Sequence, residues 1–285
     1  MNLNKVIIVL IISFYALGCY AKKKEYPKAD IKVSYNYHKI FLRGSDGVVE
    51  QDIPFILLAN AMESKFYSPH TEYMDSMLAT PKGKAVSKEL LHTAIRRYVD
   101  TKDRSVMEGV TYRTHLYVFK SKSENLYNVY DYVSMQGHFH YQEPLTEIEW
   151  SISDSTKNIL GYECFMAEAD YHGRSWTVWF TPEIPISDGP WKLQGVPGLI
   201  LEASEPSGQH TFTATGIEYS NQAIVGIYDP KRYDKASRIE MLKMERYYRN
   251  NSNSILKAQL DLEISADTPL SEESKKYDFI ETDYH

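Results

Sequence analysis

Cysteine is scarce. Two occur in 285 residues, Cys19 and Cys164. Cys19 falls at the end of an N-terminal apolar run, so Cys164 alone remains for the folded domain. A lone cysteine excludes an internal disulfide framework and leaves stability to the core. Cys164 lies in the apolar-rich segment GYECFMA and reads as a small buried hydrophobe, not a reactive thiol. Long hydrophobic runs are also missing. The longest, Val6 to Leu17, is too short to span a bilayer as a helix. Basic clusters are missing too. Setting aside residues 1–21 removes one lysine from 32 basic residues against 38 acidic ones, a net charge of −7. That balance argues against nucleic acid as a partner, because phosphate binding needs clustered Lys and Arg. The one basic run, Lys22 to Lys24, reads as a solvated tail. No G-x-S-x-G, H-E-x-x-H, P-loop or dinucleotide fingerprint occurs.

The N-terminus is read first. Lys5, the apolar run and the small residues of Gly18-Cys19-Tyr20-Ala21 have the layout of an export signal. Cleavage after Ala21 releases a soluble protein. Alternatively Ala16-Leu17-Gly18-Cys19 resembles a loose lipobox, and Cys19 becomes a lipidated N-terminus. Ala16 stands where Leu is usual, so the soluble route fits better. Either route places the protein in the periplasm or against the outer membrane. Peripheral membrane association follows only from the second. With no repeat, linker or low-complexity block, residues 22–285 read as one domain with a polar C-terminal tail.

Tyrosine is abundant, at 23 residues, and favours strands with a half-wet face. Asp30 to Leu42 alternates strictly, Ile31, Val33, Tyr35 and Tyr37 against Lys32, Ser34, Asn36 and His38. Gly44 to Gly47 reads as a turn, and Asp52 to Ala61 with Ser64 to Tyr67 as returning strands. Ser68-Pro69 starts a short helix to Leu78. A turn or two of helix follows around Ser87 to Ile95. Strands are expected at Val110–Phe119, Leu126–Met135, His138–Glu143 and Trp150–Ile152, before a turn at Asp154 to Lys157. Gly161–Tyr171 and Gly173–Thr181 form a hairpin across His172-Gly173. Leu199–Ala203 and Gln209–Tyr219 complete the strands, and a helix spans Asp234 to Asn250. The expected fold is mainly β (α+β): an extended curved antiparallel sheet or half-barrel with a few helices packed on one face.

The densest stretch is Arg174 to Ala203, RSWTVWFTPEIPISDGPWKLQGVPGLILEA, with four prolines, three glycines and three of the four tryptophans. Val196-Pro197-Gly198-Leu199 fits a type II turn. Pro182 and Pro185 exclude a central strand between Thr181 and Ile186. This stretch resembles the signature of the GLPGLI family of exported Bacteroidetes proteins, with Val196 in place of the usual Leu. Ser64-Lys65-Phe66-Tyr67-Ser68 and GYECFMAEA are also similar to that family. The resemblance implies a cell-envelope location. It implies no catalytic residue, because no activity of the family is established.

Within the stretch, Trp179, Trp191, Gly195, Pro197 and Gly198 are the candidate contacts for a ligand or partner. His138 and His140 share a strand face and can reach one ion, but two ligands do not make a metal site. Asp170, His172 and Arg174 read as an ion-pair cluster more readily than as an acid–base set. Asp75-Ser76-Met77 and Asp154-Ser155-Thr156 match a short O-glycosylation pattern. No cofactor is expected. The expected function is a non-enzymatic envelope protein for an apolar ligand or protein partner. A metal-dependent or hydrolytic enzyme and a structural accessory to an outer-membrane transporter are the alternatives.

Overall fold

Alternation decides the first strand. In β1 (Ile31–Arg43), Ile31, Val33, Tyr35 and Tyr37 are buried, and the residues between them are half-exposed. The computed structural model describes residues 25–43, 47–134, 136–251 and 279–284. The predicted export signal, the apex of the turn at 44–46 and most of the predicted tail lie outside them.

Eleven more strands join β1. They are β2 (Gly47–Ala59), β3 (Glu63–Tyr67), β4 (Tyr117–Ser121), β5 (Leu126–Val133), β6 (Gly137–Pro144), β7 (Ser151–Ile159), β8 (Tyr162–Tyr171), β9 (Arg174–Thr181), β10 (Leu199–Ser204), β11 (His210–Tyr219) and β12 (Tyr233–Lys235). All lie in one sheet, ordered β12-β6-β5-β4-β3-β2-β1-β11-β10-β9-β8-β7. β12 runs parallel to β6, and the other pairs are antiparallel. The sheet is mixed and open, with β12 and β7 at its edges. The helices are α1 (Pro69–Leu78), α2 (Pro81–Thr101) and α3 (Arg238–Asn250).

One sheet face carries the main core, including Val33, Phe55, Leu57, Phe66, Tyr127, Val129, Trp176, Val178 and Phe212. Met241 of α3 packs on this face. A smaller cluster, with Leu58, Tyr67 and Tyr117, lies on the other. There α1 packs through Asp75, which accepts from the Tyr117 hydroxyl at 2.8 Å. The helices therefore divide between the faces.

Several boundaries differ from the sequence reading, each for a physical reason. Strand β7 runs through the turn predicted at Asp154 to Lys157. Its register against β8 shifts between Ile152 and Thr156, so an edge bulge absorbs the polar residues. Residues 110–116 are not strand, because their polar groups are spent locally. Thr111 Oγ1 donates to the Met107 carbonyl at 2.8 Å, and Thr71 of α1 takes the Thr114 carbonyl at 2.7 Å. Helix α2 is 21 residues long with Ala94 as its buried residue, and its other apolar positions, Val86, Leu90, Ile95 and Val99, are exposed, so burial against the core does not set its length. Helix α3 starts at Arg238, not Asp234. Ser237 and Glu240 close a reciprocal capping box, and Tyr233–Lys235 pairs with β6 instead.

Candidate functional site

The stretch from Arg174 to Ala203 is a locked corner. Trp176, Val178 and Phe180 of β9 face the core. After Thr181 the chain leaves the sheet in short turns. At Val196-Pro197-Gly198 the Gly198 N–H donates to the Val196 carbonyl at 2.8 Å. That bond closes an inverse γ-turn about Pro197, not the predicted type II turn. Glycine is required at 198 by crowding: a Cβ there would lie 2.1 Å from the Thr181 carbonyl oxygen.

Two buried lysines hold this corner. Lys120 of β4, 1% exposed, donates to Asp188 Oδ1 at 2.6 Å and to the Gly189 and Leu193 carbonyls at 2.8 and 2.9 Å. All three ammonium donors are thus used. Lys192 sits 2.6 Å from both Glu143 of β6 and Glu281. Around them, Tyr127 donates to the Lys192 carbonyl and Trp150 to the Gln194 carbonyl, both at 2.8 Å. Trp191 takes a left-handed backbone, φ 52°, unusual for a bulky side chain.

These contacts separate the five candidate residues. Trp191 is 1% exposed, packed against Trp176, and presents no surface to a partner. Gly198 is buried. Gly195 and Pro197 are exposed. Trp179 lies on the opposite face of β9, half-buried, with the Lys157 ammonium 4.3 Å from its ring centroid. The five form no common site.

The imidazoles of β6 are packing groups. His138 faces Tyr132, Tyr233 and His115, and accepts from Arg232. His140 stacks on Tyr130. Burial, aided by Arg232, pushes the His138 pKa down to about 4. Burial first and His138 second push His115 down to about 3. Among the described residues, the group with metal-ligand spacing is His172, Glu281 and Asp283, which includes neither His138 nor His140. Arg238 already fills that group's cation position. Its Nε lies 3.2 Å from Glu281, and its terminal nitrogen is 2.5 Å from Asp283 and 2.9 Å from His172 Nδ1.

The predicted Asp170/His172/Arg174 cluster separates as well. Asp170 accepts from Ser175 at 2.5 Å. His172 and Arg174 instead grip the segment 279–284. Arg174 Nε donates to the Phe279 and Ile280 carbonyls at 3.2 and 3.0 Å, and Thr282 N–H donates to the His172 carbonyl at 3.0 Å. Burial, opposed by Glu281 and aided by Lys192, pushes His172 down to about 4. Asp75 of the first glycosylation pattern is buried under Tyr112, Tyr117 and Arg232. Asp154, Ser155 and Thr156 are exposed on β7.

The sequence reading missed a cavity. It lies on the core face between the sheet, α3 and the segment 279–284, with a volume of about 470 Å³. Tyr37, Ile53, Phe55, Phe212, Leu242 and Phe279 give it an apolar wall. Asp131 of β5 also lines it. On β5, Tyr127, Val129 and Val133 point to the core and are buried, and the two-residue period puts Asp131 on that same face. Burial, then the charge of Glu245 on α3, pushes the Asp131 carboxyl up to about 7. An acid at a core-facing strand position was the signal available in LYNVYDYV.

Residues 170–202 match a family model described as a protein of unknown function, Porph_ging. The matched span begins at the end of β8 and ends inside β10. No curated protein matches the sequence. Two structures of PNGF-II, 13% and 14% identical, superpose with a TM-score of 0.47, covering 77% of this chain and 33% of theirs. This chain therefore spans about a third of the length of that protein. A crystal structure of an outer membrane lipoprotein-sorting protein domain from Vibrio parahaemolyticus is 7% identical, with a TM-score of 0.25, covering 68% of this chain and 87% of that one. Likenesses this distant assign no activity.

Proposed function

We propose that this chain is a non-enzymatic protein of the cell envelope that holds an apolar or amphipathic ligand beneath α3. The cavity carries this reading. Its volume, about 470 Å³, falls in the range of roughly 300–1,000 Å³ typical of small-molecule sites. Its wall combines the apolar residues named above with charged groups, among them Lys39, Arg113, Asp131, Glu245, Arg249 and Glu281, which suits an amphipathic occupant. The export signal and the resemblance of Arg174–Ala203 to the GLPGLI signature support the envelope location, at the periplasm or the outer membrane. Lipidation at Cys19 would add a membrane anchor.

The enzymatic alternative draws little support from the geometry. Its candidate groups are dispersed, His138 and His140 on the face opposite the cavity, His172 and Arg174 in a chain-holding network. The geometry offers nothing specific for the transporter-accessory reading.

The test is direct. Protein purified from its native envelope is extracted into organic solvent, and the extract is read by mass spectrometry. A co-purifying amphiphile is expected. Leu242→Trp fills the cavity from α3 and should abolish both the ligand and the fluorescence of bound N-phenylnaphthylamine, leaving far-UV circular dichroism unchanged. An extract without ligand, together with no fluorophore binding by the unmodified protein, overturns the reading.

A further inference from the structure

The cavity's charges are not equally satisfied. Glu245 is paired with Arg249 at 2.7 Å, and Glu281 with Lys192 at 2.6 Å. Arg113 is paired with Glu108 at 2.5 Å. Asp131 makes no ion pair among the described residues. Its Oδ1 accepts the Tyr132 backbone N–H at 2.8 Å, a bond within its own strand. The other oxygen is left to whatever the cavity holds. Across the sheet the residue opposite Asp131 is Phe139, which offers no donor side chain.

Resting on the binding reading above, we infer that the cavity selects amphiphiles with an organic-cation head group, of the alkylammonium class, and that Asp131 is the residue that selects them. A carboxylate beside an apolar wall gains most from a partner that brings both a countercharge and apolar surface. A carboxylate or phosphate head group would instead meet Asp131 as a like charge.

The charge state of Asp131 supports this. Its carboxyl is held near neutrality's edge, at about 7, by burial and by Glu245. Glu245 and Arg249 face it from α3, Lys39 from β1, Arg113 and His115 from the loop before β4, and Glu281 from the C-terminal segment. His115 stays neutral, at about 3. A bound cation supplies the countercharge that ionises Asp131, so binding releases a proton and weakens as the pH falls below 7.

Decylamine, decanol and decanoate share one tail and differ in head group. Each is titrated below its aggregation concentration against N-phenylnaphthylamine bound to the full-length protein. At pH 8, decylamine should displace the fluorophore at least tenfold more effectively than the other two. The preference should vanish in Asp131→Asn, which should still bind decanol, and in the unmodified protein at pH 5. If decanol or decanoate competes as well as decylamine, or if Asp131→Asn keeps the preference, the head-group inference is wrong and the binding reading stands. If neither the fluorophore nor any of the three binds, the binding reading falls with it. Should Asp131→Asn not fold, the pH series on the unmodified protein decides alone.

Discussion

Replacing Lys120 by methionine should be among the most damaging single changes in this protein. Methionine fills nearly the same volume, so packing is largely kept. What is lost is electrostatic. Asp188, 2% exposed at its side chain, would keep the Gly189 N–H at 2.7 Å but no cation. Breaking a buried pair by removing one partner costs about 3–5 kcal/mol. The Gly189 and Leu193 carbonyls also lose a donor, and buried unsatisfied groups cost roughly 1–3 kcal/mol each. Water that enters the gap will recover part of this, so about 5 kcal/mol is expected for the single variant. The double variant Lys120→Met with Asp188→Asn carries no unpaired charge. It should recover at least about 2 kcal/mol of the loss, as replaced buried pairs generally do. Urea unfolding followed by tryptophan fluorescence reads both, because Trp176 and Trp191 are buried beside this corner. A loss under about 1.5 kcal/mol for the single variant, or simple additivity of the two changes, would refute the reasoning. If Lys120→Met does not fold at all, the double variant must still do so.

Three further outcomes are expected. Gly198→Ala should destabilise by about 3 kcal/mol through the clash with the Thr181 carbonyl. Gly226→Ala, where a Cβ meets nothing within 4 Å, should change the urea midpoint little. Stability should fall as the pH drops from about 6.5 towards 4. His115, His138 and His172 have folded values of about 3, 4 and 4. The unfolded chain therefore takes up the protons first, and each histidine contributes a slope of up to about 1.4 kcal/mol per pH unit. Thermal melts across that range check this, and a flat profile would count against it. Asp131 works in the opposite sense. Its folded value of about 7 lies above the unfolded one, so its contribution erodes as the pH rises from about 4 to 7. Asp131→Asn should thus be more stable than the unmodified protein at pH 8, by on the order of 1–2 kcal/mol after allowing for partial exposure, and no more stable at pH 4.

Local pattern made much of the sheet legible. The alternation of β1, the hairpin at His172-Gly173 and the buried face of β9 follow from spacing and turn chemistry. Asp154-Ser155-Thr156-Lys157 misled because edge strands tolerate turn-like polar residues, and a bulge can hide them. The three residues of β12 misled because a helix with its own cap begins immediately afterwards. The lysines were opaque for another reason. Nothing local to Lys120 or Lys192 distinguishes them from surface lysines, and their partners lie 68 and 89 positions away. Asp131 was legible and was passed over: an acid in register with Val129 and Val133 is the kind of locally unfavourable choice that marks function. The corner at Arg174–Ala203 drew attention through its prolines and glycines, yet those residues serve chain geometry.

The segment 279–284 has a consequence for how the chain must fold. Arg174, Lys192 and Arg238 are held in place by it, and Arg174 reaches carbonyls 105 and 106 positions further on. Synthesis from the N-terminus delivers those three cations before their partners. Until Phe279 to Tyr284 arrives, a buried lysine and two arginines have lost part of their countercharge, and the cavity lacks one wall. Completion of the core is therefore deferred until the segment 279–284 has been made. A chain cut before Phe279 would be expected to remain open to proteolysis, although all the strands among the described residues would already be present.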